Sequence, residues 1–376
     1  VMLNIKETKE GLLEFNMLSS IEREVTFTWA NIKQKILSDW SQKKIIAFID
    51  SKVYESNEAW KKVELEHSNF NLIPSNLVES SKDTDSLLAC LQRIENIGLS
   101  RRDDILLAIG GGVLMDLVSL AANLYRRGVP VIKVPTTLLG FVDASIGIKT
   151  GINFIEQRNR LGTYYLNYDV IYDRSLLTSL SPDLIREGLG EIFKIALIKS
   201  KRLFELLENN MKNLKDPNFY QTKDGALIIG LSVQLMLEEL HNNPTESDLK
   251  RCVDFGHSFS PLAEMQAIAR DDLQDIPHGI AVGADCMITT IIARNRGLLS
   301  SDFYDRILIL AKVIDFLPSH PIFKYDDILW SSLVDMTAHR GGNQNLPVPT
   351  EIGQYKFIQD LEYDELVNAS AEFRSI

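Results

Sequence analysis

The stretch Ile105–Gly112 places the tightest constraint on the fold of this chain. It reads ILLAIGGG, an apolar run of strand type that ends in three successive glycines, and the following segment Leu114–Tyr125 has helical apolar spacing. A glycine turn between a buried strand and a helix lets the backbone approach a phosphate, and the helix N-terminus favours the anion. The pattern is neither GxGxxG nor a P-loop, and glycines at strand ends also form ordinary turns, so both interpretations stay open at this point.

The first half of the chain alternates segments of strand and helix type. Short apolar runs include KKIIAFID, NLIPS, DDILLAIGG and VPVIKVPTT, and segments of helical spacing separate them. Such alternation indicates βαβ units and a parallel sheet that binds ligands at the carboxyl ends of its strands. From about Ser179 the pattern becomes helical, with Ser181 as the predicted first N-cap. The predicted fold is an α/β, Rossmann-like parallel-sheet domain over residues 1–175 and an all-α domain over residues 176–376.

Composition narrows the class of protein. The chain has 376 residues, 45% of them hydrophobic, and this length accommodates two domains with separate cores. A net charge of -11 argues against nucleic acid as a partner, because a phosphate backbone requires a basic footprint. No apolar run approaches the roughly 20 residues of a membrane span, and the N-terminus lacks signal-peptide features, so no membrane partner and a cytoplasmic location are expected. The three cysteines, Cys90, Cys252 and Cys286, are far apart and odd in number, which predicts buried, unpaired thiols.

Basic residues downstream of the glycines have the charge to bind a phosphate ester. They are Arg126, Arg127, Lys133, Lys149, Arg158 and Arg160. Such a cluster would supply locally the positive charge that the chain as a whole lacks, although each residue alone fits a solvated face equally well. Asp50 ends a predicted strand, where a carboxylate can accept hydrogen bonds from ribose hydroxyls or cap a helix.

Three residues of the helical half have the chemistry of a metal site. Glu191 lies in the apolar stretch GLGEIFKIAL, where an unpartnered carboxylate is expensive, and Lys194 shares its helical face. His257 and His278 each lie beside a glycine at a predicted helix start. Two imidazoles and one carboxylate leave zinc an open position for substrate oxygens, whereas a histidine at a helix start can also cap or pack. Three histidines without such a setting are predicted to lie on the surface: His67, His241 and His320.

Together these segments resemble the dehydroquinate synthase superfamily of sugar phosphate cyclases. The motifs GGGVLMD, VPTTLLGFVDASIGIKTGIN, RNRLG, GEIFK, GHSFSP and PHG occur in the order of that superfamily and close to its spacing. The resemblance implies an N-terminal NAD-binding domain, a helical C-terminal domain and a catalytic site in the cleft between them. It also implies a homodimer, a sugar phosphate substrate, one NAD that is reduced and reoxidised in each cycle, and one divalent zinc or cobalt ion.

The same resemblance implies roles for individual residues. The metal ligands would be Glu191, His257 and His278. The cofactor would be bound by Asp50, Glu79, Lys82, Gly111, Gly112, Asp116, Thr136, Thr137, Asp143 and Lys149. The catalytic group would comprise Asp143, Lys149, Asn159, Lys194, Arg251 and Asp254, with Arg127 reaching the substrate phosphate from the partner subunit.

The implied reaction has no net redox change. Oxidation of one carbinol gives a ketone, which acidifies the neighbouring C–H and lets phosphate leave by β-elimination. The hydride then returns, the ring opens, and an intramolecular aldol reaction closes the carbocycle.

Departures from the dehydroquinate synthases indicate a branch of the superfamily. Those synthases carry a histidine and an asparagine where this chain has Pro261 and Asp254. Together with the segment Arg340–Pro349, these residues look like the sedoheptulose 7-phosphate cyclases, whose substrate has no carboxylate for such polar groups to bind. Asp254 resembles the 2-epi-5-epi-valiolone synthases, whereas Ile280 fits neither the glutamate usual there nor the histidine of the deoxygadusol-type enzymes.

Other products and one other reaction class stay open. The alternative activities are those of 2-epi-valiolone, desmethyl-4-deoxygadusol and 3-dehydroquinate synthases. A metal-dependent NAD alcohol or glycerol-phosphate dehydrogenase shares the two-domain plan but would release soluble NADH.

Overall fold

The structure, a computed structural model, describes residues 2–7, 13–18, 24–155, 157–166, 169–317 and 320–376. It divides into two compact units, of which the first runs to Leu180 and also contains Leu240–Thr245, and the second contains Ser181–Glu239 and Glu246–Ile376. The boundary predicted at residue 175 lies near the observed end of the first unit at Leu180, and the sequence does not predict that a short segment from the second half joins this unit.

A largely parallel sheet forms the centre of the first unit. The strands of this unit are β1 (Met2–Glu7), β2 (Leu13–Leu18), β3 (Glu24–Trp29), β4 (Ile45–Asp50), β5 (Phe70–Ser75), β6 (Ile105–Gly110), β7 (Val131–Pro135), β8 (Lys149–Phe154), β9 (Gln157–Tyr164) and β10 (Asp169–Tyr172). Eight of these described strands form one sheet in the order β1-β2-β3-β10-β7-β6-β4-β5. The six strands from β3 to β5 in that order are parallel, as predicted, while β1 and β2 are antiparallel and β8 pairs with β9 in a separate hairpin.

Helices cover both faces of this sheet, because its central strands are apolar on both sides. The helices are α1 (Ile32–Leu37), α2 (Ser51–Glu55), α3 (Ala59–Glu66), α4 (Thr84–Ile97) and α5 (Gly112–Leu124). Ile46 of β4 and Leu106 of β6 belong to the core under α4 and α5, whereas their neighbours Ile45 and Leu107 belong to the core under α1 and α3. Since the strands are parallel, the carboxyl ends of β4, β6 and β7 lie at the same edge of the sheet.

The second unit is helical. Its helices are α6 (Pro182–Lys199), α7 (Lys201–Asn209), α8 (Lys223–Asn242, whose last residues belong to the first unit), α9 (Ser260–Ala269), α10 (His278–Asn295), α11 (Ser301–Ile314), α12 (Asp326–His339) and α13 (Tyr363–Ser375). Ser181 caps α6 as predicted, its hydroxyl accepting a hydrogen bond from the Leu184 N–H at 3.3 Å. The sequence did not predict the hairpin of β11 (Leu346–Glu351) and β12 (Gln354–Ile358). Helices α6 and α10 pack against one another and carry Glu191 and His278.

The structure confirms the prediction for the three cysteines and contradicts the one for His67. The three cysteines are free and buried, and burial raises the pKa of Cys90 and Cys252 to about 12, so these thiols are inert at neutral pH. The prediction that His67 lies on the surface is wrong: it ends α3, is buried, and its Nε2 lies 2.9 Å from the carbonyl oxygen of Trp40. None of the helices in the described ranges is long and apolar enough to cross a membrane.

Candidate metal centre and nucleotide-binding segment

Three side chains of the second unit converge on one point. Glu191 of α6, His257 in the loop before α9 and His278 at the first position of α10 each offer one ligand atom, and these atoms lie within 4.8 Å of one another. The Nε2 atoms of His257 and His278 are 3.6 and 3.3 Å from Glu191 Oε1. The structure therefore brings together the three residues that the sequence proposed as metal ligands.

Glycines allow these three segments to approach one another. A Cβ on Gly279 of α10 would lie 1.8 Å from the carbonyl oxygen of Glu187, and one on Gly190 of α6 would lie 2.0 Å from the Gly279 carbonyl oxygen. Gly256 has a φ of +79°, and a Cβ there would lie 2.8 Å from Cys286 Sγ. A larger residue at Gly190 or Gly279 would push the two helix backbones apart, and one at Gly256 would have a strained φ, so the spacing of the three candidate ligands depends on these glycines.

Glu191 is a buried carboxylate without a hydrogen bond. Its side chain is 1% exposed, neither oxygen has a hydrogen bond, and Lys194 Nζ lies 2.5 Å from Oε2 as an ion pair. Burial would raise the pKa of this carboxyl, but Lys194 and the imidazoles of His278 and His257 outweigh it and hold the pKa well below its usual range. A buried anionic oxygen beside two imidazole nitrogens is a donor set that fits zinc or another divalent cation.

The two imidazoles differ in their preferred charge. Burial and the nearby Lys194 lower the pKa of His257 well below its usual value. Burial also disfavours the charged form of His278, but Glu264 and Glu191 outweigh it and raise the pKa of this imidazole to about 10. Since metals bind neutral imidazole, a cation at Nε2 of His278 would displace that proton, while Nδ1–H continues to donate to Glu264, whose oxygens are 3.0 and 3.1 Å away.

The first unit presents an open glycine at a helix start. Gly110 ends β6, and Gly111 is the N-cap residue of α5, which has no side-chain cap. A Cβ on Gly111 would approach Thr137 Cγ2 at 3.5 Å, an ordinary contact, so packing does not require glycine at this position. The N–H groups of a helix start that carries no side chain at its N-cap suit the pyrophosphate of a dinucleotide.

Several predicted site residues form one hydrogen-bond network close to this helix. Lys82 is 2% exposed, and its Nζ donates to Asp116 Oδ2 at 2.7 Å and to Asn159 Oδ1 at 2.6 Å. Asn153 extends the network: its Oδ1 accepts from the Asn159 N–H at 2.9 Å, and its Nδ2 donates to Glu79 Oε1 at 3.1 Å. The sequence assigned these residues separately to cofactor and substrate and missed Asn153, which only the fold brings to the network.

Lys133 lies inside the protein. It is fully buried in β7, and its Nζ donates to the carbonyl oxygens of Ala144 and Gly147, each at 3.1 Å. Burial lowers its pKa to about 8, against the attraction of Asp116 and Asp143. Its assignment to a basic phosphate-binding cluster or a solvated face is therefore wrong, because its ammonium group holds the turn that carries Asp143.

The remaining predicted residues of the first unit lie at strand ends and in loops. Asp50 caps α2, its Oδ1 accepting the N–H two residues later at 2.9 Å, which is the helix-cap alternative. Thr136 is buried, and Thr137 Oγ1 accepts the N–H three residues later at 3.0 Å. Lys149 is the exposed first residue of β8, and Arg127 is exposed with a left-handed φ of +62°.

Two arginines hold Asp254 in the second unit. Its Oδ1 accepts from Arg251 Nη2 at 2.5 Å, and its Oδ2 accepts from Arg340 Nε at 3.2 Å. Arg340, which the sequence did not single out as a site residue, is 3% exposed and also donates to the carbonyl oxygen of Gln344. Asp254 and Arg251, both expected in the catalytic group, are thus paired with each other.

Two buried carboxylates close to the candidate ligands, Glu264 and Asp285, were not predicted. Glu264 lies in the apolar helical stretch SPLAEMQA, and Asp285 lies in GIAVGADCMI. A lone acidic residue in an apolar helix was the signal that selected Glu191. The same signal, applied to α9 and α10, finds both residues.

The fold and site define a protein with a parallel α/β unit, a helical unit and a candidate metal centre. Residues 73–187 match the model described as 3-dehydroquinate synthase N-terminal, and residues 188–335 match 3-dehydroquinate synthase C-terminal. The chain belongs to the dehydroquinate synthase family, which confirms the resemblance found in its motifs.

Several similar proteins share one name, and others of lower identity are named demethyl-4-deoxygadusol synthase and 3-dehydroquinate synthase. A 2-epi-5-epi-valiolone synthase of Streptomyces albus is 42% identical over 293 residues, which cover 77% of this chain and 70% of that protein. A 2-epi-5-epi-valiolone synthase of Actinomyces sp is 37% identical over 335 residues, 87% of this chain and 86% of that protein. The solved structure of ValA, a 2-epi-5-epi-valiolone synthase from Streptomyces hygroscopicus subsp. jinggangensis 5008 with NAD+ and Zn2+ bound, is 34% identical. It matches with a TM-score of 0.87 over 95% of this chain and 98% of that chain.

Proposed function

We propose that this chain is a sugar phosphate cyclase that converts sedoheptulose 7-phosphate to the cyclitol 2-epi-5-epi-valiolone and inorganic phosphate. The observation that carries the proposal is the convergence of Glu191, His257 and His278, because it joins three residues distant in sequence into one cation site. The name 2-epi-5-epi-valiolone synthase, which relatives 37% to 42% identical share, supports the choice of substrate and product.

Two bound groups belong to this proposal, NAD and one divalent zinc or cobalt ion. When bound, NAD would accept and return one hydride, and the metal ion would polarise substrate oxygens. The buried oxygens of Glu191 fit the ion, and the open backbone at Gly111 fits the pyrophosphate. The presence of NAD+ and Zn2+ in the solved structure of ValA supports the same pair.

The chain's own residues would bind and orient the substrate. Lys82 donates to Oδ1 of Asn159, which leaves the amide nitrogen of Asn159 as the donor to a substrate oxygen. Lys133 holds the turn that presents Asp143, and Lys149 follows that turn as a cation for the phosphate. Lys194, on the same helical face as Glu191, would neutralise negative charge that develops on substrate oxygens.

Asp254 acts as a positioning residue in this proposal. Its two oxygens accept from Arg251 and Arg340, so the carboxylate orients two guanidinium groups instead of contacting the substrate itself. An asparagine has one acceptor oxygen and no charge, and would hold one of these arginines less firmly.

We also propose a homodimer in which Arg127 reaches the partner's substrate phosphate. Two observations support this: Arg127 is exposed, and it follows the end of α5 with a left-handed φ of +62°. Light scattering gives the mass, and mixing inactive Arg127→Ala with inactive Glu191→Ala subunits should restore about a quarter of the activity if sites are shared.

The central experiment is incubation of the protein with sedoheptulose 7-phosphate, substoichiometric NAD and Zn2+ or Co2+. We expect phosphate release through many turnovers, no lasting absorbance at 340 nm, and a cyclitol whose configuration NMR identifies. Glu191→Ala should abolish phosphate release and cation binding while NAD binding persists.

Each alternative gives a different result in the same experiment. Steady NADH accumulation without phosphate release would identify a dehydrogenase and overturn the proposal. Preference for the carboxylated substrate of 3-dehydroquinate synthases would overturn the choice of substrate. An epimeric or deoxygadusol-type product would keep the cyclase assignment and replace the product.

A further inference from the structure

Two buried carboxylates connect the segments that carry His257 and His278. Glu264 lies on α9, seven residues after His257, and Asp285 lies on α10, seven residues after His278. Asp285, on the helix of His278, contacts the segment that follows His257. Glu264, on the helix that follows His257, contacts His278.

Asp285 holds the segment that follows His257. It is fully buried, and its Oδ2 accepts three consecutive backbone N–H groups, from Ser258, Phe259 and Ser260, at 2.9, 2.6 and 2.9 Å. Helix α9 has no cap from its own N-cap side chain, so a carboxylate from α10 performs that role. The position of the His257 loop is thereby tied to α10.

Glu264 of α9, in turn, holds His278 of α10. Its side chain is 4% exposed, and both oxygens lie within 3.1 Å of His278 Nδ1. A carboxylate that accepts from Nδ1–H fixes the ring orientation, so that Nε2, the atom that would bind the cation, lies 3.3 Å from Glu191 Oε1.

We infer that Asp285 and Glu264 form a reciprocal clamp that fixes the separation and orientation of the two imidazoles and thereby sets the affinity and geometry of the metal centre. The inference rests on the proposed function for the identity of the cation. The clamp residues are positioning residues, because neither lies among the three groups whose ligand atoms converge.

The clamp predicts an effect on the cation that is separate from an effect on folding. Loss of a carboxylate behind a metal-binding histidine lowers metal affinity about 10- to 100-fold in other proteins. We expect Glu264→Gln and Asp285→Asn each to raise the dissociation constant of Zn2+ or Co2+ about tenfold or more. If both carboxylates hold one geometry, the double variant should lose less affinity than the product of the two single losses.

The test uses metal-free full-length protein titrated with Zn2+ or Co2+ against a competing chelator, together with the visible absorption spectrum of bound Co2+. The matched control is Thr290→Val, because Thr290 is fully buried on the same helix and donates only to the Cys286 carbonyl oxygen among the bonds described. NAD affinity and the melting temperature are measured for every variant, and Glu264→Asp, which keeps the charge, serves if another variant fails to fold.

The supporting result is weaker cation binding and an altered Co2+ spectrum in the clamp variants, with unchanged NAD affinity and unchanged cation binding in Thr290→Val. Folded clamp variants that bind cations within threefold of the unsubstituted protein, with its Co2+ spectrum, would overturn the clamp alone, even if they melt earlier. Failure of the unsubstituted protein to bind either cation would overturn the proposed metal centre and the clamp with it.

Discussion

The metal centre and the nucleotide-binding segment differ in how their buried charged groups are hydrogen-bonded. In the second unit, neither oxygen of Glu191 has a hydrogen bond, although two imidazoles and an ammonium group face it. In the first unit, the ammonium of Lys82 donates to Asp116 and Asn159 at 2.7 and 2.6 Å. A bound cation would complete the first arrangement, whereas the protein alone satisfies the second.

The glycines of the two regions also differ, in whether the packing of the protein requires them. Gly190 and Gly279 are required by the protein, because a Cβ on either would overlap the opposite helix backbone. Gly111 is not required by packing, because a Cβ there would make an ordinary contact with Thr137. Gly190 and Gly279 are therefore needed for close packing of the helices that carry the candidate ligands, whereas we expect Gly111 to serve ligand binding.

The largest effect is expected at Gly279. Gly279→Ala would place a Cβ 1.8 Å from the Glu187 carbonyl oxygen, so α6 and α10 must move apart. We expect the free energy of unfolding, measured by urea denaturation, to fall by about 4 kcal/mol, and cation affinity to fall with it. The control is Gly297→Ala, where nothing lies within 4 Å and only the φ of +68° opposes alanine, at about 1 kcal/mol. Equal losses at the two positions would remove crowding as the explanation.

Lys133 tests how the first unit tolerates a buried cation. Its pKa is about 8 in the folded protein and near the ordinary 10.5 when unfolded, so between these values the unfolded chain binds more protons. The stability of the unsubstituted protein should therefore rise from pH 8 to pH 10.5 relative to Lys133→Met, by about 3 kcal/mol. Urea denaturation of both proteins across this range measures the difference. A difference that is independent of pH would show that this ammonium is not desolvated.

Substitution of Lys82 tests how much its hydrogen bonds to Asp116 and Asn159 contribute to stability and to NAD binding. Lys82→Met would leave the Asp116 carboxylate without its ion pair and Asn159 without its donor. We expect the unfolding free energy to fall by about 2 kcal/mol and NAD affinity to fall about tenfold. Exposed Lys215 provides the control, since Lys215→Met removes the same charge and should change stability by less than about 0.5 kcal/mol. Loss of cation affinity in Lys82→Met would contradict the separation of the two regions.

Features that depend on local sequence could be predicted, whereas contacts between residues distant in sequence could not. The strand, glycine and helix order around Gly111 is local, so apolar periodicity predicted it. The hairpin of β11 was missed because Pro347 and Pro349 argue against a strand, although edge positions tolerate proline. Lys82 meets Asn159 across 77 residues of sequence, a contact that no local pattern contains. The metal ligands were proposed from their residue types and from the motif resemblance, and the glycines between α6 and α10 explain how they come together.

The smallest and most specific effect is expected at Gly111, where stability and binding should separate. Gly111 has a φ of -79°, which alanine adopts without strain, and the nearest contact of a new Cβ would be at 3.5 Å. Gly111→Ala should therefore leave the unfolding free energy unchanged or raise it by about 0.5 kcal/mol, because alanine restricts the unfolded chain. The same methyl group would occupy the space that a pyrophosphate approaches, so the dissociation constant of NAD, measured by calorimetry, should rise about tenfold, or about 1.4 kcal/mol. Gly110→Ala is the matched control, since its Cβ would lie 3.1 Å from Leu114 Cβ and should affect stability first. If Gly111→Ala bound NAD as tightly as the unsubstituted protein, the open glycine would be an ordinary turn, and the pyrophosphate would have to bind elsewhere in the first unit.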